Sequence, residues 1–128
     1  MGTIKPVYSC MLTLAMDLVG GKWKMLVLWL LRDRSVRFSE LRRFLNRITH
    51  KMLTQQLREL EQSGLINRTV YPVVPSKVEY ALTEEGKKLI PILETLCDWS
   101  KEYATSHGIA ESCSHSSAMT TKKRPECS

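Results

Sequence analysis

Between Lys22 and Arg32 the chain reads Trp23-Lys24-Met25-Leu26-Val27-Leu28-Trp29-Leu30-Leu31, which on a helix is apolar nearly all round. A helix of that kind has no face to give to water and belongs at the centre of a small bundle. Its uninterrupted apolar run, Met25–Leu31, is far shorter than the roughly 20 residues that a bilayer span needs. The 128-residue chain must therefore supply the surrounding layers itself, and its length suits one domain rather than two.

Those layers are readable on both sides. Cys10 to Val19 is mostly apolar and stops at Gly20-Gly21, a pair suited to a sharp change of direction. Phe38, Leu41, Leu45 and Ile48 recur at helical spacing, with Ser39 placed to cap the start and Arg42, Arg43 and Arg47 off the apolar face. After a short turn, Thr49 is a good N-cap for a helix carrying Leu53, Leu57 and Leu60, and Gly64 stands at the expected stop. The period then changes. Ile66 to Tyr71 and Lys77 to Leu82 are rich in β-branched and aromatic residues, and Val78, Tyr80 and Leu82 alternate with Lys77, Glu79 and Ala81. Pro72-Val73-Val74-Pro75-Ser76 continues neither helix nor ladder, so it joins the two strands as a stiff loop.

Thr83 with Glu84 and Glu85 opens a last helix, in which Leu89, Ile92, Leu93, Leu96, Trp99 and Tyr103 make one apolar stripe. Pro91 predicts a kink about two turns in. The expected fold is mainly α with a small β-hairpin: a helix-turn-helix followed by a two-stranded wing, over residues 8–104. Residues 105–128 are Ser/Thr-rich, carry Lys122-Lys123-Arg124 and show no apolar period, and are expected to form a disordered tail.

Charge is concentrated rather than spread. The net excess is +6, and Arg32, Arg34, Arg37, Arg42, Arg43, Arg47, Lys51 and Arg58 meet only Asp33 and Glu40 in their stretch, which holds the whole excess. One basic block on a neutral body is a footprint for a polyanion, beside the plainer reading of a solvated charged surface.

The helix from Thr49 favours the footprint. At 100° per residue Leu53, Leu57 and Leu60 fall within about 60° of one another, and Lys51, Gln55, Arg58 and Gln62 cluster opposite them. Thr54 lies at the edge of that cluster, and Glu59 and Glu61 lie on the flanks. An outer face without a carboxylate is what a major-groove helix requires: Arg or Lys pairs with guanine edges, Gln with adenine, and Thr touches a thymine methyl. This reading assigns base contacts to His50, Lys51, Thr54, Gln55 and Arg58. Backbone contacts fall to Ser39, Arg42, Arg43, Arg47 and Thr49, and from the wing to Arg68 and Lys77, for which plain solvent exposure is an equal reading.

Other classes find little support. Cysteines 10, 97, 113 and 127 form no C-x-x-C pair and no dense framework, against both a zinc ribbon and a disulfide-stapled miniprotein. His107, Cys113, His115 and Cys127 match no zinc spacing, so neither a metal site nor a cofactor is expected. His50 is the one histidine before the tail, no Ser/His/Asp or Cys/His grouping emerges, and Gly20-Gly21 lacks the context of a phosphate-cradling loop; no enzyme is expected. Met11–Leu18 has the look of a signal-peptide core, but Asp17 interrupts it and no cleavage site follows, so the expected location is cytoplasmic.

Four segments carry a family resemblance: Gly20-Gly21-Lys22-Trp23-Lys24; Arg37-Phe38-Ser39-Glu40-Leu41-Arg42-Arg43; Lys51-Met52-Leu53-Thr54-Gln55-Gln56-Leu57-Arg58-Glu59-Leu60; and Val78-Glu79-Tyr80 with Leu82-Thr83. From about Tyr8 to Tyr103 the chain resembles the HxlR-type winged helix-turn-helix transcription regulators, which are related in fold to the MarR regulators. The resemblance implies a homodimer on operator DNA, with a recognition helix starting near Thr49 and an interface of N- and C-terminal helices (Leu14, Leu18, Leu89, Leu93, Leu96, Trp99 and Tyr103). With so short an apolar run in the chain, no membrane partner is expected. Many members carry a cysteine ten residues before the first glycine of the Gly-Gly pair, and in some it senses oxidants or electrophiles; Cys10 occupies that place. A thiol at a helix N-terminus can have a lowered pKa. Met11 replaces the family's usual proline after it, and a Cys packed as a small hydrophobe is the plain alternative. Cys97 reads as packing. The competing functional class is a winged helix used for protein contacts without DNA.

Overall fold

The computed structural model describes residues 4–110. The apolar segment forms α2 (Lys24–Leu30), with Val27, Leu28 and Leu30 buried and Trp23, Met25, Leu26 and Trp29 packed at the margin of the same core. Around it lie α1 (Met11–Val19), β1 (Val36–Arg37), α3 (Phe38–Leu45), α4 (His50–Gln62), β2 (Ile66–Tyr71), β3 (Lys77–Leu82), α5 (Glu84–Lys87) and α6 (Ile90–His107). Leu41, Leu45 and Ile48 from the α3 region, Leu53, Leu57 and Leu60 from α4, and Ile66, Tyr80 and Leu82 from the strands close the core. No helix among the described residues is long and apolar enough to cross a membrane.

The ends of α4 follow from its sequence. The Thr49 hydroxyl accepts a hydrogen bond from the Met52 N–H at 3.0 Å, satisfying one orphan donor of the first turn. At the other end Gly64 takes φ 78°, the Leu65 N–H returns to the Leu60 carbonyl and the Gly64 N–H to that of Glu61, both at 3.0 Å. This is the Schellman arrangement, and only glycine enters it without strain. The preceding turn pivots on Asn46 at φ 63°, where the Arg47 N–H bonds the Leu45 carbonyl across one residue at 2.6 Å. Asparagine is among the few side-chain-bearing residues that tolerate positive φ.

Several expectations are corrected. The expected hairpin is present as β2 and β3, antiparallel with Ile66 opposite Leu82, and β1 adds a third strand beside β3 with Val36 opposite Tyr80. A two-residue strand is too short for alternation to show in sequence. That pairing also holds Arg37 extended, so α3 begins at Phe38 with Arg37 as its N-cap, and the Glu40 carboxylate accepts from the Arg37 N–H at 3.3 Å. Ser39 is therefore inside the first turn and caps nothing. The last helical stretch is two helices instead of one kinked one: Pro91 lies in the first turn of α6, where a missing N–H costs no bond. Thr83 does cap α5, accepting from the Gly86 N–H at 3.0 Å while donating to the Gly64 carbonyl at 2.6 Å, which ties the base of the wing to the end of α4. Finally, α6 continues to His107 before Gly108 closes it at φ 68°, three residues past the expected boundary at 104. The rest of the expected tail, 111–128, lies outside the described residues, as do Cys113, His115 and Cys127.

Candidate nucleic-acid interface

The inner face of α4 is buried at Leu53, Gln56, Leu57 and Leu60, which leaves Lys51, Gln55, Arg58 and Gln62 exposed along one outer strip. Thr54 is half-buried beside them, and its hydroxyl donates to the His50 carbonyl at 2.8 Å. His50 stands at the first turn with its ring 4.8 Å from that of Phe38, so it also braces α4 against α3. Arg42, Arg43 and Arg47 are exposed on the α3 side of the strip, as are Ser39 and Thr49, the latter with its hydroxyl engaged in the cap. Arg42, Arg43, Arg47, Lys51, Arg58 and Arg68 form no salt bridge within the described residues; the ion pairs lie elsewhere. Six cations outside any ion pair around one helix, with the Glu61 carboxylate at its flank, leave this surface with a positive excess.

The wing completes it on one side. Arg68 on β2 and Arg58, Thr54 and Glu61 on α4 line a cleft of about 320 Å³ floored by Leu57 and Tyr80. Arg58 and Arg68 thus share one cleft with the Glu61 carboxylate. Lys77 is placed differently: its ammonium pairs with Glu79 at 3.3 Å and lies 4.7 Å from the Tyr71 ring centroid. Glu79 also accepts from Ser35, which precedes β1, and from Tyr71 on β2. Desolvation is the largest single influence on its carboxyl and raises it, but Lys77, Ser35 and Tyr71 together outweigh it and hold the group below the usual carboxylate range. Lys77 is thus committed first to the wing's own cohesion.

Two basic residues turn out to be interior. Arg32 leaves the basic block, with a buried side chain stacked 4.2 Å from the Trp29 ring centroid and Nη1 donating to the Trp29 carbonyl at 2.7 Å. Lys24 is 3% exposed, and its Nζ meets Glu59 Oε1 at 2.6 Å. Glu59 Oε2 in turn accepts from Gln55 Nε2 at 2.6 Å. Gln55 is therefore tethered rather than free on the outer strip. Sequence reasoning missed this chain, although a lone lysine in an apolar helix was its signal: a buried ammonium requires a partner.

Cys10 is the exposed N-cap of α1. The Thr13 and Leu12 N–H groups in the first turn of α1 favour the thiolate and lower the thiol pKa from its ordinary value, while the Thr13 N–H itself bonds the Cys10 carbonyl at 3.1 Å. Tyr8 beside it donates to Asp17 at 2.6 Å, a bond that holds the phenol protonated to higher pH than usual. No residue of α1 is buried, and Leu14 and Leu18 are half-buried. On α6 the expected interface residues divide. Leu93 lies in the core and Leu89 packs against it, whereas Leu96, Trp99 and Tyr103 face outward with Ile92. The correction for Leu89 and Leu93 is geometric: a four-residue step sets them on the side of α6 that meets α2. Among the described residues no three His, Cys, Asp or Glu side chains gather as a metal site.

The model of the HxlR-like helix-turn-helix family matches residues 18–108, a span that includes α2 to α6 with the wing. The chain belongs to that family. Among curated relatives, an HTH-type transcriptional regulator of Methanothermobacter thermautotrophicus is 57% identical over 98 residues, covering 77% of this chain and 75% of its own. The crystal structure of the HTH-type transcriptional regulator YtcD superposes with a TM-score of 0.73 at 47% identity, covering 75% of this chain and 98% of that one. The redox regulator HypR in its oxidized form gives 0.70 at 45% identity, covering 73% and 96%. This HxlR-like chain is a winged helix-turn-helix transcriptional regulator and not an enzyme.

Proposed function

We propose that the chain binds operator DNA as a homodimer, laying α4 in the major groove. The observation that carries this reading is the outer strip of α4: Lys51 and Arg58 exposed and unpaired, with Arg42, Arg43 and Arg47 on one side and Arg68 on the other. In this arrangement His50, Lys51, Thr54, Gln55 and Arg58 contact base edges. Ser39, Arg42, Arg43, Arg47, Thr49 and Arg68 contact the phosphates, with Lys77 at the margin of the wing. The outward residues of α6, with Leu14 and Leu18 of α1, form the twofold seam, because a 59%-exposed tryptophan in an apolar row is costly to leave in water. One helix reads few base pairs, and a twofold pair reads two half-sites about one DNA turn apart.

Cys10 is the proposed site of response to oxidants or electrophiles. It is exposed, its thiol is acidified by a helix N-terminus, and a relative 45% identical to this chain is a redox regulator. Replacing Cys10 with Ser removes the change in DNA affinity that an oxidant produces; an unchanged response in that variant contradicts the assignment.

A duplex titration at several salt concentrations tests the DNA reading. Each neutralised phosphate contributes about −0.9 to the slope of log affinity against log salt. Lys51→Ala relaxes base preference, and Arg43→Ala weakens all sequences alike. Salt-insensitive or absent duplex binding would instead point to a winged helix used for protein contacts.

A further inference from the structure

Lys24 is buried on α2, yet Glu59 alone separates it from a proposed base reader. Its ammonium is 3% exposed and anchored in the core, so it cannot swing elsewhere. It holds one oxygen of Glu59 at 2.6 Å, and the other oxygen holds Gln55 Nε2 at 2.6 Å. These contacts keep the Glu59 carboxyl below the usual carboxylate range, Lys24 contributing most. An ionised carboxylate only accepts, so the atom Gln55 turns towards it must be its NH2 group. The amide orientation is thereby decided by a residue of another helix.

We infer that Lys24 is a positioning residue for sequence readout: through Glu59 it fixes the Gln55 amide so that Oε1 and the second N–H face the groove as an adenine-reading pair. The inference rests on the proposed seating of α4. An amide that rotates freely offers donor or acceptor to any base edge, whereas a fixed one offers its oxygen to adenine N6–H and its N–H to N7. Buried polar tethers of this kind convert a flexible side chain into an oriented one, and the cost is borne inside the fold, where Lys24 is already ordered.

The test uses the full chain and a randomised duplex library, with base preference measured at every position for wild type, Lys24→Met, Gln55→Ala and the double variant. Lys24→Met keeps the volume and removes the charge. Wild type should show an adenine preference at one position per half-site of about tenfold. Gln55→Ala flattens that position, Lys24→Met flattens the same position and no other, and the double variant goes no further than Gln55→Ala. Glu59→Ala, made at a partly exposed site, gives the same flattening and guards against misfolding of the core variant. The inference is overturned if Lys24→Met and Glu59→Ala both leave that position unchanged. It is equally overturned if Lys24→Met alters the profile as much with Ala at position 55. If Gln55→Ala changes no position while other bases remain selected, the assignment of Gln55 as a reader fails, and Lys24 has nothing to position. No duplex binding by wild type sinks the proposed function itself.

Discussion

Two helices of this molecule treat their apolar residues in opposite ways. On α4 the leucines are interior and the outer strip is polar; on α6, longer by five residues, only Leu93 is buried and the outer row is Ile92, Leu96, Trp99 and Tyr103. The Trp99 and Tyr103 rings lie 5.5 Å apart, and Tyr103 stacks on His107 at 4.0 Å, so this row is already ordered along the helix. A helix satisfied by its own domain has its polar face available for a ligand. A helix with an apolar row outside has its requirement still open, and in the account proposed above a second copy of the chain meets it.

Leu57→Ala on α4 should cost about 3 kcal/mol, because Leu57 is 2% exposed and its truncation loses buried apolar contacts. A denaturant midpoint measures it; a loss below about 1 kcal/mol would mean that α4 is not seated as described. Trp99→Glu on α6 should scarcely alter the unfolding of an isolated protomer. It should weaken self-association by roughly 2 kcal/mol, about thirtyfold, the scale of an aromatic hot spot. Sedimentation over a concentration series separates the two effects, and unchanged association would remove α6 from the seam.

Smaller effects sharpen the contrast. Thr49→Ala should cost about 1 kcal/mol by releasing the Met52 N–H, read as a fall in melting temperature. A substitution at the α6 start offers no counterpart, since Leu89 makes no side-chain cap. The smallest effect is in acid. Glu59 titrates lower in the folded chain than when unfolded, so its contribution to stability is present above the unfolded value of about pH 4.3 and is lost as pH falls through the folded one. Glu59→Gln should therefore show a shallower loss of stability between about pH 4.5 and pH 3 than wild type, and equal slopes would contradict the Lys24 pairing.

The sequence made α4 legible almost completely, because its leucine spacing, its threonine cap and its glycine stop each answer to local rules. It was less explicit where tertiary context decides. β1 is too short to carry a period, and its pairing with β3 moved the N-cap of α3 from Ser39 to Arg37. Pro91 is compatible with either a kink or a helix start, and only packing against α2 separates them. At the candidate interface the residue types were readable and their commitments were not. Arg32 stacks inside on Trp29, Lys77 is occupied by Glu79 and Tyr71, and Gln55 is held from behind by Lys24 through Glu59. Each depends on a neighbour distant in sequence or on rotamer choice, which helical periodicity does not encode.

Enrichment of operator sequences from random duplexes bears most directly on the central claim, that paired α4 helices enter successive major grooves on one face of the DNA. The expected product is an inverted repeat whose half-site centres lie about 10–10.5 base pairs apart or at a multiple of that spacing. Lys51→Ala should degrade both halves equally. Enrichment of a single unpaired site, or of no sequence, would contradict it.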